Sequence, residues 1–201
     1  MHYNQTKAIL NALQRGQISV DDALLHLKLE PFQDLGYAKV DHHRRLRQGV
    51  PEVIYGAGKT PEQMVGIVSA MQEAGQKMVL ITRLSPEAAE IVGRTHPMTY
   101  HEMGRIATIG PLPEPDGLGT IVIATGGTSD VPVAEEAAIT AQALGNRVRK
   151  LYDVGVAGVH RLLANLEYIM DASVIIAIAG MEGALASVVG GLADCPVIAV
   201  H

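Results

Sequence analysis

The chain has 201 residues, of which 48% are hydrophobic and 18% charged, so it is long enough to bury the core of one or two domains. Its formal net charge is -5, and no segment interleaves basic and aromatic side chains as a nucleic-acid groove would. The longest apolar run, 173–192, carries Glu182 and several glycines, and the first residues lack a signal-peptide core. We predict a cytoplasmic protein with no nucleic-acid or membrane partner.

The first half of the chain predicts helices followed by a small α/β region. Two short helices fit residues 1–29, with a break at Gly16, and Pro31 ends the second. Residues 32–50 have weak periodicity and many charged and histidine side chains, which is typical of a surface segment. Strands are predicted at 52–55, 78–82 and 105–109, with helices that begin after the caps Thr60 and Ser85.

The second half predicts a parallel α/β sheet. Three prolines in 111–117 indicate a linker or an ordered turn between two halves of the chain. Beyond it, strands at 120–124, 147–152, 174–179 and 197–200 alternate with helices at 131–144, 159–170 and 182–192, and such helices require parallel crossovers. We therefore divide the chain into a helical segment with a charged loop (1–50), a small α/β region (51–117) and a nucleotide-binding domain (118–201). The sheet is expected to be parallel, with helices on both faces.

A glycine-rich turn stands between a predicted strand and the helix that follows it. It reads Gly126, Gly127, Thr128, Ser129 and Asp130. Backbone N–H groups at such a helix start can bind phosphate, and the two hydroxyls add donors, while Asp130 can bind a sugar hydroxyl, a proton or a metal. The plain alternative is a tight turn with Ser129 or Asp130 as the helix N-cap, and the residues alone leave both open.

A second turn, Gly180, Met181, Glu182 and Gly183, repeats this arrangement after the most apolar strand. Glu182 can act as a base or hold a ribose hydroxyl or a cation, or it can merely complement the dipole of the next helix. The small residues that follow in this helix suggest close packing, including against another subunit.

A charged segment, which includes Asp41, His43 and Arg44, is the third candidate. Its arginines can hold an anionic substrate and a histidine can transfer protons, although a solvated charged surface is the commoner explanation. Cys195 precedes an apolar strand, and we predict it to be buried and structural. Neither a metal-ligand spacing nor a Ser-His-Asp arrangement is present, so no metal site is predicted.

Residues 120–200 resemble the aminoimidazole ribonucleotide (AIR) carboxylase and mutase family. The resemblance rests on the Gly-Thr-Ser-Asp turn and on Pro-Val-Ala-Glu-Glu-Ala, Val-Ile-Ile-Ala-Ile-Ala-Gly and Pro-Val-Ile-Ala-Val. It implies a flavodoxin-like three-layer domain, a ribonucleotide phosphate at the Ser-Asp turn and an octamer. Two motifs of that family are absent: residues 154–159 replace Ser-Ala-His-Arg-Thr-Pro, and Ala184 stands where the family has a histidine.

A resemblance to the LarB family covers almost the whole chain. It rests on Asp-Leu-Gly-Tyr-Ala-Lys-Val-Asp-His-His-Arg at 34–44, Gln-Gly-Val-Pro-Glu-Val-Ile at 48–54, Gly-Lys-Thr-Pro-Glu-Gln at 58–63 and Ala-Gly-Met-Glu-Gly-Ala at 179–184. This resemblance implies an early enzyme of nickel-pincer nucleotide cofactor synthesis. Such an enzyme carboxylates the pyridinium ring of nicotinic acid adenine dinucleotide with CO2. It also cleaves the phosphoanhydride, which releases AMP and a biscarboxylated pyridinium mononucleotide.

The LarB resemblance assigns roles to the three candidates. The expected catalytic residues are Glu182, Asp130 and His43. The expected substrate- and phosphate-binding residues are Gly126, Gly127, Thr128, Ser129, Asp130, Gly180, Met181, Gly183, Asp41 and Arg44. The reaction needs no nickel, and a Mg2+ ion bridging phosphate oxygens would suit the cleavage step.

The nucleophile of the LarB family is a cysteine thiolate that lies beyond the Pro-Val-Ile-Ala-Val strand, and Cys195 does not match it. We therefore expect a chain that is truncated at its C-terminus and does not carboxylate by itself. The last strand would leave part of one sheet face bare, and a homo-oligomer, an octamer by resemblance, would cover it. A purine ribonucleotide carboxylase and a non-catalytic nucleotide-binding fragment are the alternatives.

Overall fold

The computed structural model describes residues 3–29, 32–41, 44 and 49–201. Its α-helices are α1 (Tyr3–Gln14), α2 (Val20–Leu29), α3 (Pro61–Glu73), α4 (Pro86–Thr95), α5 (Val131–Ala143), α6 (Val159–Leu163), α7 (Leu166–Met170) and α8 (Ala184–Leu192). Its strands are β1 (Phe32–Asp34), β2 (Lys39–Asp41), β3 (Ile54–Tyr55), β4 (Val79–Thr82), β5 (Thr99–His101), β6 (Ile106–Ile109), β7 (Thr120–Thr125), β8 (Arg147–Leu151), β9 (Val174–Ile178) and β10 (Val197–Val200). Within this part of the chain, no helix is long and apolar enough to cross a membrane.

The C-terminal sheet is parallel, and its four strands lie in the order β10-β9-β7-β8. Since β7 lies between the strands that follow it in sequence, this is the flavodoxin-like order. Helix α5 covers one face, and α6, α7 and α8 cover the other, where Leu162, Ile169 and Leu185 are buried against the strands. The structure therefore confirms the predicted three-layer α/β domain.

The N-terminal sheet differs from the prediction, because it is mixed rather than parallel. Its order is β3-β4-β6-β5; β3 pairs with β4 in parallel, whereas β6 is antiparallel to both β4 and β5. The reason is a hairpin: β5, which the sequence analysis missed, turns back directly into β6. The short β5 carries only three residues, Thr99, Tyr100 and His101, too few to give a clear alternation.

Two further segments differ from the sequence expectation. Within 32–50, described as a surface segment, β1 and β2 form an antiparallel hairpin whose Val40 is buried in the core of the N-terminal sheet. The single helix predicted at 159–170 is two short helices, because the chain breaks at Asn165. There the Asn165 side-chain amide donates to the backbone oxygen of Arg161 at 2.9 Å and competes with a continuous helical ladder.

Helix α5 lies between the two sheets. One side carries Ala134 and Ala138, which are fully buried against the C-terminal sheet, and the other carries Ile139 and Ala143, which pack against Leu80 and Ile106 of the N-terminal sheet. A helix that is apolar on opposite sides is buried on both. The N-terminus of α5 is thereby held at a defined place on the edge of the C-terminal sheet.

A cluster of polar and charged side chains also holds α5 in place. The Glu135 carboxylate accepts hydrogen bonds from Lys150 Nζ at 2.7 Å and from the Tyr152 hydroxyl at 2.8 Å. Burial alone would raise the pKa of Glu135, but these hydrogen bonds outweigh it and hold the pKa below its usual value. Burial, aided by the same carboxylate, raises the pKa of Tyr152. The cluster ties α5 to β8 and to the loop after it.

Glu135→Gln is expected to lower the free energy of unfolding at pH 7 by about 1 kcal/mol, because the ion pair with Lys150 is lost. A carboxyl with a lowered folded-state pKa stabilises the fold above its unfolded pKa, and this contribution disappears as the pH falls through the folded value. The difference in unfolding free energy between wild type and variant, measured by urea unfolding, should therefore be largest at neutral pH and should decrease below about pH 4.

Glu90→Gln is the matched control, because Glu90 pairs with Arg94 on an exposed helix surface. It should change the unfolding free energy by less than about 0.5 kcal/mol. If Glu135→Gln lowered the free energy of unfolding by the same amount at every pH, this would contradict the stabilising role of the ionised carboxylate.

Candidate functional site

The first turn of the site follows β7 at the carboxyl edge of the parallel sheet, where ligands bind in open α/β folds. Thr125, the last residue of the strand, is fully buried. The Gly126 N–H donates to the Ile178 oxygen at 2.8 Å, which joins the start of the turn to the end of β9. Residues Thr128–Asp130 form a single 3-10 turn that continues into α5.

Asp130 links the two glycine-rich turns. One carboxylate oxygen accepts the N–H of Gly127 at 2.8 Å, and the other accepts the N–H of Gly180 at 3.1 Å. The carboxylate therefore occupies the place where an external anion would bind these two donors. The structure brings Asp130 and the 180–183 turn together, as two turns at neighbouring strand ends require.

The second turn follows β9. Helix α8 begins at Ala184, two residues later than predicted, because Gly183 adopts a left-handed conformation with a φ of 67°. Glu182 therefore lies in the exposed turn and not in the first helical turn. Met181 beside it is 95% exposed. Both side chains stand at the opening between the two turns.

A third wall comes from the loop after β8, which the sequence analysis did not select. Its Asp153 N–H donates to Thr125 Oγ1 at 2.9 Å, and its Val154 N–H donates to the Thr125 oxygen at 2.9 Å. Asp153 itself has a left-handed φ of 57° and pairs with Arg161. Gly155 lies directly on the backbone of Gly126, where a Cβ atom would come within 2.2 Å of the carbonyl oxygen. Two glycines after a predicted strand, Gly155 and Gly158, were the signal that could have found this loop.

The three loops enclose a cavity of about 180 Å3. Its lining residues are Gly126, Gly127, Ser129, Asp130, Gly155, Val156, Ala157, Ala179, Gly180, Met181, Glu182 and Leu185. Among the described residues, this lining includes two carboxylates and no lysine, arginine or histidine, although the His201 imidazole lies against Gly183 of the second turn. Thr128 and Gly183 belong to the same turns but do not line the cavity.

The charged segment lies elsewhere. Asp41 lines a separate groove of about 650 Å3, together with Glu52, Lys77 and residues before β3, β4 and β8, so this groove is at the amino edge of those strands. Arg44 forms an ion pair with Glu52 at 3.4 Å. His43 falls outside the described residues. Within one chain, the structure does not bring Asp41 or Arg44 to the cavity.

Cys195 stands before β10, at the amino edge of the sheet, whereas the cavity is at the carboxyl edge. The four residues of β10 span roughly 13 Å between these edges. Burial raises the pKa of the Cys195 thiol, and the neighbouring Asp194 carboxylate adds to the rise. A half-buried thiol with a raised pKa is a poor nucleophile.

Among residues 3–29, 32–41, 44 and 49–201, no three His, Cys, Asp or Glu side chains are grouped as metal ligands. The carboxylates of Asp130 and Glu182 are two at most, and Asp130 is engaged with backbone N–H groups. A Mg2+ ion at this place would take its further ligands from substrate phosphates and water, which is how Mg2+ is usually held beside one or two carboxylates.

Each half of the chain matches a known protein family. Residues 32–111 match the LarB/PurE-like N-terminal domain, and residues 120–201 match AIR carboxylase. An uncharacterized protein of Methanocaldococcus jannaschii is 35% identical over 201 residues, which cover 96% of this chain and 78% of that protein. The chain belongs to the LarB family. Its domains, in this order, are those of a carboxylase-type enzyme.

The cavity also shows how this LarB-family chain departs from AIR carboxylases. The segment 154–159, which replaces the motif Ser-Ala-His-Arg-Thr-Pro, supplies Gly155, Val156 and Ala157 to the cavity wall. Beside it, Ala184 stands where those enzymes have a second histidine. Val156 and Ala157 make this part of the cavity wall apolar.

Gly155→Ala is expected to lower the free energy of unfolding by about 1–3 kcal/mol, because the added methyl group meets the rigid carbonyl of Gly126. Gly93→Ala, in the last turn of α4, is the control: its Cβ would meet only Met98 at an ordinary 4.0 Å. Alanine should stabilise that helix by up to about 1 kcal/mol. Urea unfolding followed by circular dichroism checks both, and equal stability of the two variants would contradict the close contact between the loops.

Proposed function

We propose that this chain serves the carboxylation of the pyridinium ring of nicotinic acid adenine dinucleotide by CO2 and the cleavage of its phosphoanhydride, in nickel-pincer cofactor synthesis. The products would be AMP and pyridinium-3,5-biscarboxylic acid mononucleotide. The observation that carries the proposal is the cavity at the carboxyl edge of the AIR carboxylase domain, whose wall lacks the imidazoles of purine carboxylases. The match to a LarB N-terminal domain supports the same substrate.

The chemistry explains what the site has to supply. A pyridinium carbon is electron-poor and does not attack CO2, so a nucleophile first adds to the ring and gives a neutral dihydropyridine. The enamine-like carbon then forms a bond to the CO2 carbon, and a base removes the proton from that ring carbon. The electron pair left behind re-forms the aromatic ring as the nucleophile departs with its own pair. Cleavage of the phosphoanhydride consumes one water molecule.

Glu182 is the base in this proposal. Its carboxylate is exposed at the opening of the cavity, where a bound ring would be within reach, and glutamate is a common general base. Asp130 has a different task, because both of its oxygens accept backbone N–H groups. It positions the two turns, with Gly126, Gly127 and Gly180 held close to each other. Thr128, Ser129, Met181 and Gly183 complete these turns.

The adding nucleophile is not Cys195, since this thiol lies at the opposite edge of the sheet and has a raised pKa. The Mg2+ ion stays a prediction, for which Asp130 and Glu182 are the carboxylates nearest to a bound phosphate. Asp41, His43 and Arg44 stay a prediction: Asp41 and Arg44 would need a second copy of the chain to reach this cavity, and His43 lies outside the described residues.

Self-association is part of the proposal. Helices α6 and α7 each expose two apolar side chains one turn apart, Val159 and Leu163 on α6 and Leu166 and Met170 on α7, which together we call the apolar stripe. On β10, Ile198 is exposed on the sheet face that α5 covers only in part. Exposed apolar surfaces of this kind are typical of contacts between subunits. A homo-oligomer would cover both.

The function is tested by calorimetric binding and by mass spectrometry of a mixture of protein, nicotinic acid adenine dinucleotide and bicarbonate. We expect the dinucleotide to bind at least about tenfold more tightly than aminoimidazole ribonucleotide, because the chain lacks two motifs by which the AIR carboxylase family acts on that ribonucleotide, at 154–159 and at Ala184. AMP and the ring-carboxylated mononucleotide are the products to be followed. Tighter binding, or carboxylation, of aminoimidazole ribonucleotide would support the purine alternative instead.

Cys195→Ser is the control for the nucleophile. It should leave dinucleotide binding and any product formation as in the wild type. Loss of product in this variant alone would contradict the assignment of Cys195 as a structural residue.

Self-association is tested by measuring the molar mass of the protein by light scattering as it elutes from a size-exclusion column. The expected mass is a multiple of 21.3 kDa, and the double substitution Leu163→Glu and Met170→Glu should reduce it by placing charges in the apolar stripe. Leu118→Glu, at an exposed position outside the stripe, should not change the mass. A monomeric wild-type protein would refute self-association.

A further inference from the structure

The first two helices of the chain form a helical hairpin that lies outside both matched family domains. Helix α1 ends at Gln14, residues 15–19 form a short turn, and α2 begins at Val20, so the two helices run in opposite directions. The family matches begin later, at 32–111 and 120–201. Nothing assigned to those domains therefore accounts for the hairpin.

The helical hairpin exposes large aliphatic side chains. Leu10 on α1 and Val20, Leu24 and Leu25 on α2 are between 48% and 62% exposed. None of the side chains described in residues 7–26 belongs to the hydrophobic clusters around the two sheets. The helices have 12 and 10 residues, and an isolated helix shorter than about 12–15 residues is only marginally stable in water. The hairpin therefore depends on packing that these clusters do not supply.

Three of the exposed side chains share one side of the hairpin. Leu10 follows the half-buried Ile9, and Leu24 follows the buried Ala23, so each lies about 100° further round its helix. Because the helices run in opposite directions, this rotation brings both leucines to the same side. Val20 lies one turn before Leu24 and joins them. The result is one apolar face with a leucine near the middle of each helix.

The two ends of this apolar face carry opposite charges. Among the described side chains, the turn end has Asp21, Asp22 and Arg15, which leaves one net negative charge, and the open end has Lys7, with His26 toward it. Lys7 and Asp21 each stand three residues before the central leucine of their helix, so they lie at similar distances from the middle of the face. Such a surface is complementary to itself when it is turned end for end.

We propose that this face is a contact between two copies of the chain, in which the helical hairpins pack face to face about a twofold axis that runs across them. The central leucines meet near the axis, and the turn end of each hairpin faces the open end of the other. The Asp21 carboxylate of one copy then approaches the Lys7 ammonium group of the other, twice in one dimer. The four helices form a bundle, which is a common way to bury helices that are apolar on one side.

The contact is tested in the full chain that carries Leu163→Glu and Met170→Glu, because these substitutions disrupt the apolar stripe and leave the helical hairpin unchanged. Light scattering on a dilution series should give a mass of twice 21.3 kDa. The further substitutions Leu10→Glu and Leu24→Glu should lower it to 21.3 kDa, since four carboxylates would meet at the axis. Ala8→Glu, which adds a charge on the other side of α1, is the control and should keep the dimer.

Exchanged charges show whether the contact joins two copies. Asp21→Lys places ammonium groups against each other, and Lys7→Asp places carboxylates against each other, so each variant alone should dimerise at least about tenfold more weakly. In an equimolar mixture, the two variants carry matching charges at both ends of the contact, and the dimer should return. An ion pair within one chain would not respond to mixing.

Circular dichroism verifies that each variant is folded. If the chain with Leu163→Glu and Met170→Glu does not fold, the same substitutions in the wild-type chain should lower its mass. A starting variant that is folded and monomeric would overturn the proposal and would leave the face to a different protein. A dimer that persists with Leu10→Glu and Leu24→Glu, or a mixture that behaves like its two components, would overturn it as well, because another surface would then join the copies.

Discussion

The burial of α5 between two sheets is the constraint on which the rest of this structure depends. Its alanines Ala134 and Ala138 allow the C-terminal sheet to approach closely, and Ile139 fills the space toward the N-terminal sheet. The small side chains on one side of α5 and the larger ones on the other set the distances from the helix to the C-terminal sheet and to the N-terminal sheet. Because the helix cannot shift without opening one of these contacts, its N-terminus is fixed at the edge of the parallel sheet.

The site follows from that fixed N-terminus. Asp130 is the last residue before α5, and from there its carboxylate reaches the backbone of Gly127 and of Gly180. One side chain thus holds together the ends of β7 and β9, while Gly155 closes the third side by direct backbone contact with Gly126. Together with Glu182, the carboxylate that organises the cavity also makes it acidic.

Much of the fold could be predicted from the sequence, because the parallel domain repeats one strong pattern. Buried strands such as 120–124 are followed by helices with clear start signals, and this pattern implies crossovers and a site at the strand ends. The N-terminal sheet was predicted wrongly, since the three-residue β5 is too short to alternate and its hairpin with β6 reverses the chain. The wall formed by Gly155, Val156 and Ala157 was missed because these residues have no chemistry of their own.

By itself, the sequence determined the family, the α/β class and the two glycine-rich turns, because each depends on residues that are close together in the chain. Only the tertiary structure decided that both oxygens of Asp130 are engaged, that Asp41 and Arg44 lie away from the cavity and that Cys195 stands at the opposite edge. These relations join residues up to 50 positions apart. They arise from strand order and from packing across α5, which no local pattern encodes.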